Sequence, residues 1–147
     1  MTFVERESYI HKKAKEVVKE WFDTFTDDYT DFPPFHFKSS GIYLEYPIMR
    51  DGWEHYQYDL LNADGRVLNC EQFVSKFTEY PLAIIDVVCM HKGFPIYGIE
   101  ICHTNPVSKE KIKKLEKVGV TNLYEVDALW VLQQTSVPSE MKCKQFL

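Results

Sequence analysis

The spacing of apolar residues predicts several helices along the chain. Over residues 5–25, apolar side chains recur three and four positions apart, which places them on one face of a long helix. Shorter helices are predicted over residues 70–80, 108–118 and 127–134. Gly119 follows the second of these and Asp127 begins the third, so that glycine and that carboxylate are expected to act as caps.

Shorter apolar runs predict strands over residues 41–49, 54–62, 82–90, 96–102 and 123–126. Residues 26–40 are expected to form the longest loop, because Pro33 and Pro34 follow several aspartates. The tail after residue 138 is expected to fray. The order of elements predicts a single domain over residues 1–147. Its class is α/β or α+β, with a mixed central sheet flanked by helices.

Two of these apolar runs are each interrupted by one carboxylate. Residues 82–90 contain Asp86, and residues 96–102 contain Glu100. Runs this apolar are typical of strands buried on both faces, where an unpaired charge is costly. A hairpin that turns symmetrically about Gly93 places Val88 opposite Gly98 and Asp86 opposite Glu100. The Cβ atoms of such facing residues lie roughly 4.5–5.5 Å apart.

Two like charges at that distance favour a shared divalent cation, and carboxylate oxygens suit Mg²⁺ or Mn²⁺. Gly98 lies on the same strand face as Glu100, so we expect space there for a metal ion or a phosphate. The competing explanation is that each carboxylate has a buried lysine or arginine partner. No basic residue interrupts these two runs.

An Asp, a hairpin and then Glu-x-x on the next strand resemble the core of the PD-(D/E)xK nuclease superfamily. Glu7-Ser8-Tyr9-Ile10-His11 followed by Lys15 is similar to the ESxxHxxxK signature of competence protein CoiA-like nucleases. The segment IEICHT at 99–104 is similar to the IEIx-S/T segment of that group. The resemblance covers the first helix and residues 81–126, but not residues 26–80.

The resemblance implies a restriction-endonuclease-like fold and a metal-dependent nuclease that acts on DNA. Asp86 and Glu100 would bind Mg²⁺ or Mn²⁺, with the backbone carbonyl of Ile101 as a further ligand. Glu7 would complete the metal or water shell from the first helix. His11, Lys15 and His103 would lie near the nucleic acid.

Cys102 departs from the pattern, because the superfamily usually has lysine there and the CoiA-like group often has glutamine. That lysine orients the attacking water and stabilises charge that develops on the phosphate. Lys111 and Lys114 on the following helix, or Lys15 on the first, are the candidates to replace it. The alternatives are a nucleic-acid-binding protein that keeps the fold without full activity, and a protein-interaction module unrelated to nucleic acid.

Composition changes this picture only slightly. The net charge of −5 argues against a protein that coats nucleic acid nonspecifically, although local basic patches can still attract a polyanion. One such patch lies on the predicted helix at 108–118, which carries Lys109, Lys111, Lys113, Lys114 and Lys117. A solvated helix face explains the same pattern equally well.

The cysteines and the N-terminus predict an intracellular protein, cytoplasmic or nuclear. The 4 cysteines form no CxxC pair, which is typical of reduced thiols, and no signal peptide or apolar run of about 18 residues is visible. A zinc site from Cys89, His91, Cys102 and His103, or a Cys102–His103 nucleophile pair, is disfavoured because strand alternation points these side chains apart. A homodimer would suit cleavage of two strands, but nothing in the sequence indicates one.

Overall fold

A long amphipathic helix covers one face of the central sheet. The computed structural model describes residues 3–25 and 29–147, with side chains from residue 8. Helix α1 spans Phe3–Asp23 and buries Ala14, Val18 and Phe22, which are four positions apart. The predicted helix over residues 5–25 is therefore confirmed.

The central sheet has five strands, and strands that are neighbours in the sheet are also consecutive along the chain. The strands are β3 Gly41–Ile48, β4 Ala83–His91, β5 Phe94–Cys102, β6 Leu123–Asp127 and β7 Cys143–Gln145. Strands β3, β4 and β5 are antiparallel, β6 pairs in parallel with β5, and β7 returns antiparallel to β6. The sheet is thus mixed, as predicted.

Three shorter helices complete the layers: α2 Cys70–Phe77, α3 Lys109–Lys117 and α4 Ala128–Gln133. One apolar core lies between α1, α4 and the sheet and includes Val87 and Ile99. A second core packs Phe73 of α2 and Leu115 of α3 with Ile85. The fold is therefore of mixed α/β class, and its described part contains no helix long and apolar enough to cross a membrane.

The prediction of a long loop over residues 26–40 is wrong within its described part. Strands β1 Tyr29–Phe32 and β2 Phe35–Lys38 form a separate antiparallel hairpin, joined at a cis Pro33–Pro34 bond. Alternate side chains of both strands are buried, among them Phe32 and Phe35 beside Phe22. The alternation was present in the sequence, but the aspartates and the proline pair obscured it.

Two further predictions are corrected in the same way. Residues 54–62 are not a strand, since a short 3₁₀ helix spans Gln57–Leu60 and leaves Tyr58 exposed. The tail after residue 138 does not fray, because β7 pairs with β6 and Met141 is buried. These segments are held by contacts distant in sequence, which local patterns do not reveal.

The β4–β5 hairpin has the predicted central register for a different reason. Its turn is Lys92-Gly93, and both residues have left-handed φ angles of 52° and 83°. Such a turn pairs His91 with Phe94, one residue out of step with a hairpin symmetric about Gly93. A bulge between Cys89 and Met90 restores the expected register, so Val88 pairs with Gly98 as predicted.

Candidate metal centre

Asp86 and Glu100 meet where the ladder between β4 and β5 stops. The described pairs run from the turn to Val87 and Ile99. One step beyond, the Asp86 backbone N–H donates to Glu100 Oε2 at 3.1 Å, and the Ile101 N–H donates to Asp86 Oδ2 at 2.8 Å. Each carboxylate therefore accepts a bond from the backbone of the opposite strand, which brings the two side chains together.

At this level the side chains of β3 and β4 also change the face of the sheet on which they lie. Leu44 and its partner Val87 pack on the α1 side, whereas Tyr46 and its partner Ile85 pack on the other side. Residues two apart on a regular strand would share a face. The reversal is centred on Asp86 and on Glu45, whose φ of 52° lies in the left-handed region that non-glycine residues rarely occupy.

The surroundings of Asp86 favour its charged form. His11 Nε2 lies 3.2 Å from Asp86 Oδ2 and 2.9 Å from the Ile101 carbonyl oxygen. Burial acts to raise the pKa of Asp86, but hydrogen bonds with His11 and Glu100 outweigh it and lower that pKa. The hydrogen bond with Asp86 in turn raises the pKa of His11.

The surroundings of Glu100 favour its neutral form. Its side chain is almost fully buried, and burial together with the charge of Asp86 raises the pKa of Glu100 to about 7. Lys111 opposes this shift, since its Nζ contacts Glu100 Oε1 and donates to the Ile84 carbonyl at 2.7 Å. Near neutral pH the pair therefore carries between one and two negative charges.

Both carboxylates thus have basic neighbours. The competing explanation from the sequence was a buried lysine or arginine partner for each. The neighbours come from helices and not from the strands: Lys111 from α3 and His11 from α1. Only one of them is a lysine or arginine. The Lys111 backbone N–H donates to the Ser108 side chain that caps α3, which fixes the start of the helix that carries this lysine.

The other predicted residues lie at different distances from this pair. Lys15 is buried, and its Nζ donates to Glu45 Oε1 at 2.8 Å beside a cavity that it shares with His11 and Asp86. His103 lines a neighbouring cavity together with Ser8 and His11. Lys114 lines a cavity with Lys111.

The remaining predicted site residues are Glu7 and Cys102. Glu7 belongs to α1, but its side chain lies outside the described residues. The Cys102 thiol donates to the Asn105 carbonyl at 3.1 Å, and burial raises its pKa. Of the three lysines that could replace a lysine at position 102, Lys111 is the one that contacts Glu100.

The expectation that Gly98 leaves room for a ligand is wrong. A Cβ atom at Gly98 would lie 3.2 Å from Ile85 Cδ1 and 3.3 Å from Leu123 Cδ1. The side chains of Ile85 and Leu123 therefore fill the space beside Gly98. Gly98 serves close packing between neighbouring strands.

Glu45 was missed by the sequence analysis. It interrupts the apolar run of β3 as Asp86 and Glu100 interrupt theirs, so the signal was available. The register places it beside Asp86, between the pairs Leu44–Val87 and Tyr46–Ile85. It pairs with Lys15 and occupies the strained position of the reversal.

The oxygen atoms of this site suit a hard cation. His11 contacts both Asp86 and the Ile101 carbonyl, and Glu100 meets Asp86 through the backbone hydrogen bonds between the strands; carboxylate and carbonyl oxygens are the ligands that such cations prefer. Within the described side chains, no group of three His, Cys, Asp or Glu residues could hold a metal ion. A zinc site at Cys89 is opposed by its complete burial in the α1-side core, which strongly raises the thiol pKa.

Comparisons with known proteins add no further information about this site. No family model, no curated protein and no solved structure matches the chain.

Proposed function

We propose that this protein is a metal-dependent nuclease that hydrolyses phosphodiester bonds of DNA, on a restriction-endonuclease-like fold of the PD-(D/E)xK type. The observation that supports this proposal is the meeting of Asp86, Glu100 and Lys111 at the point where β4 and β5 separate. The mixed sheet flanked by helices agrees with such a fold.

Asp86, Glu100 and the carbonyl oxygen of Ile101 would hold Mg²⁺ or Mn²⁺. When bound, such an ion polarises a phosphate oxygen and lowers the pKa of bound water. His11 donates to Asp86 and to the Ile101 carbonyl, so it orients two of the three ligands at once. To hold a cation, Glu100 would have to be fully ionised, because a coordinating carboxylate must be deprotonated.

Lys111 would supply the positive charge that Cys102 lacks. Its Nζ reaches the buried end of Glu100 from α3, so the ammonium lies beside the metal ligands although it belongs to another element. In that position it can orient a water molecule and stabilise negative charge on the phosphate.

The test is nicking of a supercoiled plasmid in Mg²⁺ or Mn²⁺. We expect cleavage by the natural protein and its loss in Asp86→Asn and Glu100→Gln, which keep the shapes of the side chains. Glu125→Gln is the matched control, since Glu125 pairs with Glu100 in the sheet but its Oε2 accepts from the Val107 N–H at 2.8 Å. Equal cleavage by both site variants and the natural protein would refute the proposal.

A second candidate is a nucleic-acid-binding protein without nuclease activity. The observation that favours it is that His11 and Lys111 already contact the two carboxylates, so that the Lys111 ammonium offsets charge there without a metal cation. In this case the protein binds DNA, but neither Mg²⁺ nor Mn²⁺ produces cleavage.

A further inference from the structure

Two cavities join beside the candidate metal centre. The first, of about 500 Å³, is lined by His11, Lys15 and Asp86. The second, of about 510 Å³, is lined by Tyr80, Lys111 and Lys114. Cys70, Pro81 and Ile84 line both, so the two cavities adjoin; the surface that they occupy between Asp86 and Tyr80 is here called the groove.

The far end of the groove presents an aromatic ring to solvent. Tyr80 is 68% exposed, more than any other large apolar side chain that the structure describes. It follows α2 and precedes Pro81 and Leu82, whose half-exposed side chains continue the wall of the groove towards β4. An exposed ring at the rim of the groove can offer its flat face to a planar ligand.

The same part of the groove carries positive charge. Lys114 is exposed, and Lys111 reaches from its rim to Glu100 and the Ile84 carbonyl. Glu110 is the acidic side chain of this cavity. An aromatic ring beside ammonium groups matches the two parts of a nucleotide, because a base stacks on the ring and a phosphate pairs with the ammonium.

We propose that the groove binds an unpaired nucleic-acid strand, with one base stacked on Tyr80 and a phosphate contacted by Lys114, so that the strand continues to Asp86. This inference rests on the proposed nuclease function and specifies its substrate. In a duplex both faces of each internal base are covered by neighbouring pairs. Stacking on Tyr80 therefore selects a single strand, an overhang or a frayed end.

The test is fluorescence anisotropy with a labelled single-stranded oligonucleotide and a labelled blunt duplex, in EDTA so that neither is cut. Tyr80→Ala should weaken single-strand binding by about 5- to 100-fold, the usual effect of losing one stacked base. Tyr80→Phe should keep the affinity. Tyr58→Ala is the matched control, because Tyr58 is 62% exposed but lies beside Tyr56, away from the groove.

Lys114→Gln should weaken single-strand binding and reduce the slope of log affinity against log salt by about 0.7, as expected for one lost phosphate contact. Lys113→Gln is its control, since Lys113 is exposed on the same helix but does not line the groove. A base analogue whose fluorescence falls on stacking should show a decrease at one oligonucleotide position, and this decrease should disappear in Tyr80→Ala.

The outcomes separate this inference from the proposed function. If the natural protein cleaves DNA with Mn²⁺ but Tyr80→Ala and Tyr58→Ala bind the single strand alike, the groove inference is wrong and the nuclease function stands. If binding depends on Tyr80 but no cation supports cleavage, the groove inference stands and the nuclease function is wrong. Equal affinity of the natural protein for blunt duplex and single strand also overturns the inference.

Discussion

Asp86 is held by the His11 ring of α1, whereas Glu100 is buried against Lys111 of α3. The two environments move the pKa values apart: that of Asp86 is lowered, and that of Glu100 is raised to about 7. Similar carboxyl groups therefore acquire different charge states because their burial and their partners differ. Of these two carboxyl groups, Asp86 alone is fully ionised at neutral pH in the absence of a cation.

This difference has a consequence for metal binding. A cation that binds both carboxylates must displace the proton of Glu100, so metal affinity should rise with pH until Glu100 is ionised. Lys111 limits the cost, since it favours the charged form of Glu100.

The largest effect is expected from Lys111→Gln, which removes the ammonium on the Glu100 side. Cleavage should fall by about 10²- to 10³-fold, the usual effect of losing one group that stabilises charge in the transition state. The pKa of Glu100 should rise further, because Lys111 lowers it in the natural protein. Plasmid nicking measures the first effect, and Lys113→Gln is the control; equal rates for these two variants would exclude a role for Lys111.

The next largest effect is a pH dependence of the free energy of unfolding, which arises from the raised pKa of Glu100. Its pKa is about 7 in the folded protein against 4.5 for an unperturbed Glu, so between these pH values the folded state holds more protons than the unfolded state. Stability should therefore fall as pH rises through this window, by on the order of 2–3 kcal/mol. Glu100→Gln should abolish this fall.

The measurement is urea unfolding of the natural protein and of Glu100→Gln between about pH 4.5 and about pH 7, the window that the Glu100 pKa sets. The difference between the two free energies of unfolding should grow in favour of Glu100→Gln as pH rises. Glu125→Gln should follow the natural protein. Parallel curves for Glu100→Gln and the natural protein would show that Glu100 is not perturbed.

A smaller effect is expected on the Asp86 side from His11→Gln. Loss of a residue that orients metal ligands typically weakens metal binding by about 10- to 100-fold. The pKa of Asp86 should also rise, since the His11 hydrogen bond lowers it. Calorimetric Mn²⁺ titration measures the affinity, with Lys12→Gln as control because Lys12 is the exposed neighbour on α1. An unchanged affinity would mean that His11 only packs against the site.

The smallest effect concerns the strand that carries Glu100. Gly98→Ala should destabilise the protein by about 1–3 kcal/mol, because its Cβ would crowd Ile85 and Leu123. Thermal and urea unfolding measure this change. Unchanged stability would show that Gly98 is not required for packing. It would again favour the interpretation that Gly98 leaves space for a metal ion or a phosphate.

The sequence predicted the central part of the fold because its signals were local. The apolar runs of β4 and β5, the helical spacing of α1 and the Asp127 cap of α4 are each visible in a short window. The lone carboxylates followed from the same runs. Their partners Lys111 and His11 could not be assigned from the strands, since they depend on how α3 and α1 pack on the sheet.

The register illustrates the limit of such predictions. The Val88–Gly98 pair was correctly predicted, but the turn was placed one residue away and a bulge cancelled the difference. The β1–β2 hairpin and β7 escaped prediction because their burial depends on Phe22 and on β6, which are distant in sequence. The reversal at Glu45 involves the two adjacent strands β3 and β4 together and has no signature in either sequence alone.

The most direct test of the account is a calorimetric Mn²⁺ titration of the natural protein, repeated in buffers of different ionisation enthalpy. We predict one bound ion per chain, with proton release that grows as pH falls towards the Glu100 pKa of about 7. Asp86→Asn and Glu100→Gln should lose this binding, and Glu125→Gln should keep it. Absence of binding in the natural protein, or binding by Asp86→Asn and Glu100→Gln that is as tight as in the natural protein, would contradict a cation shared by these two carboxylates.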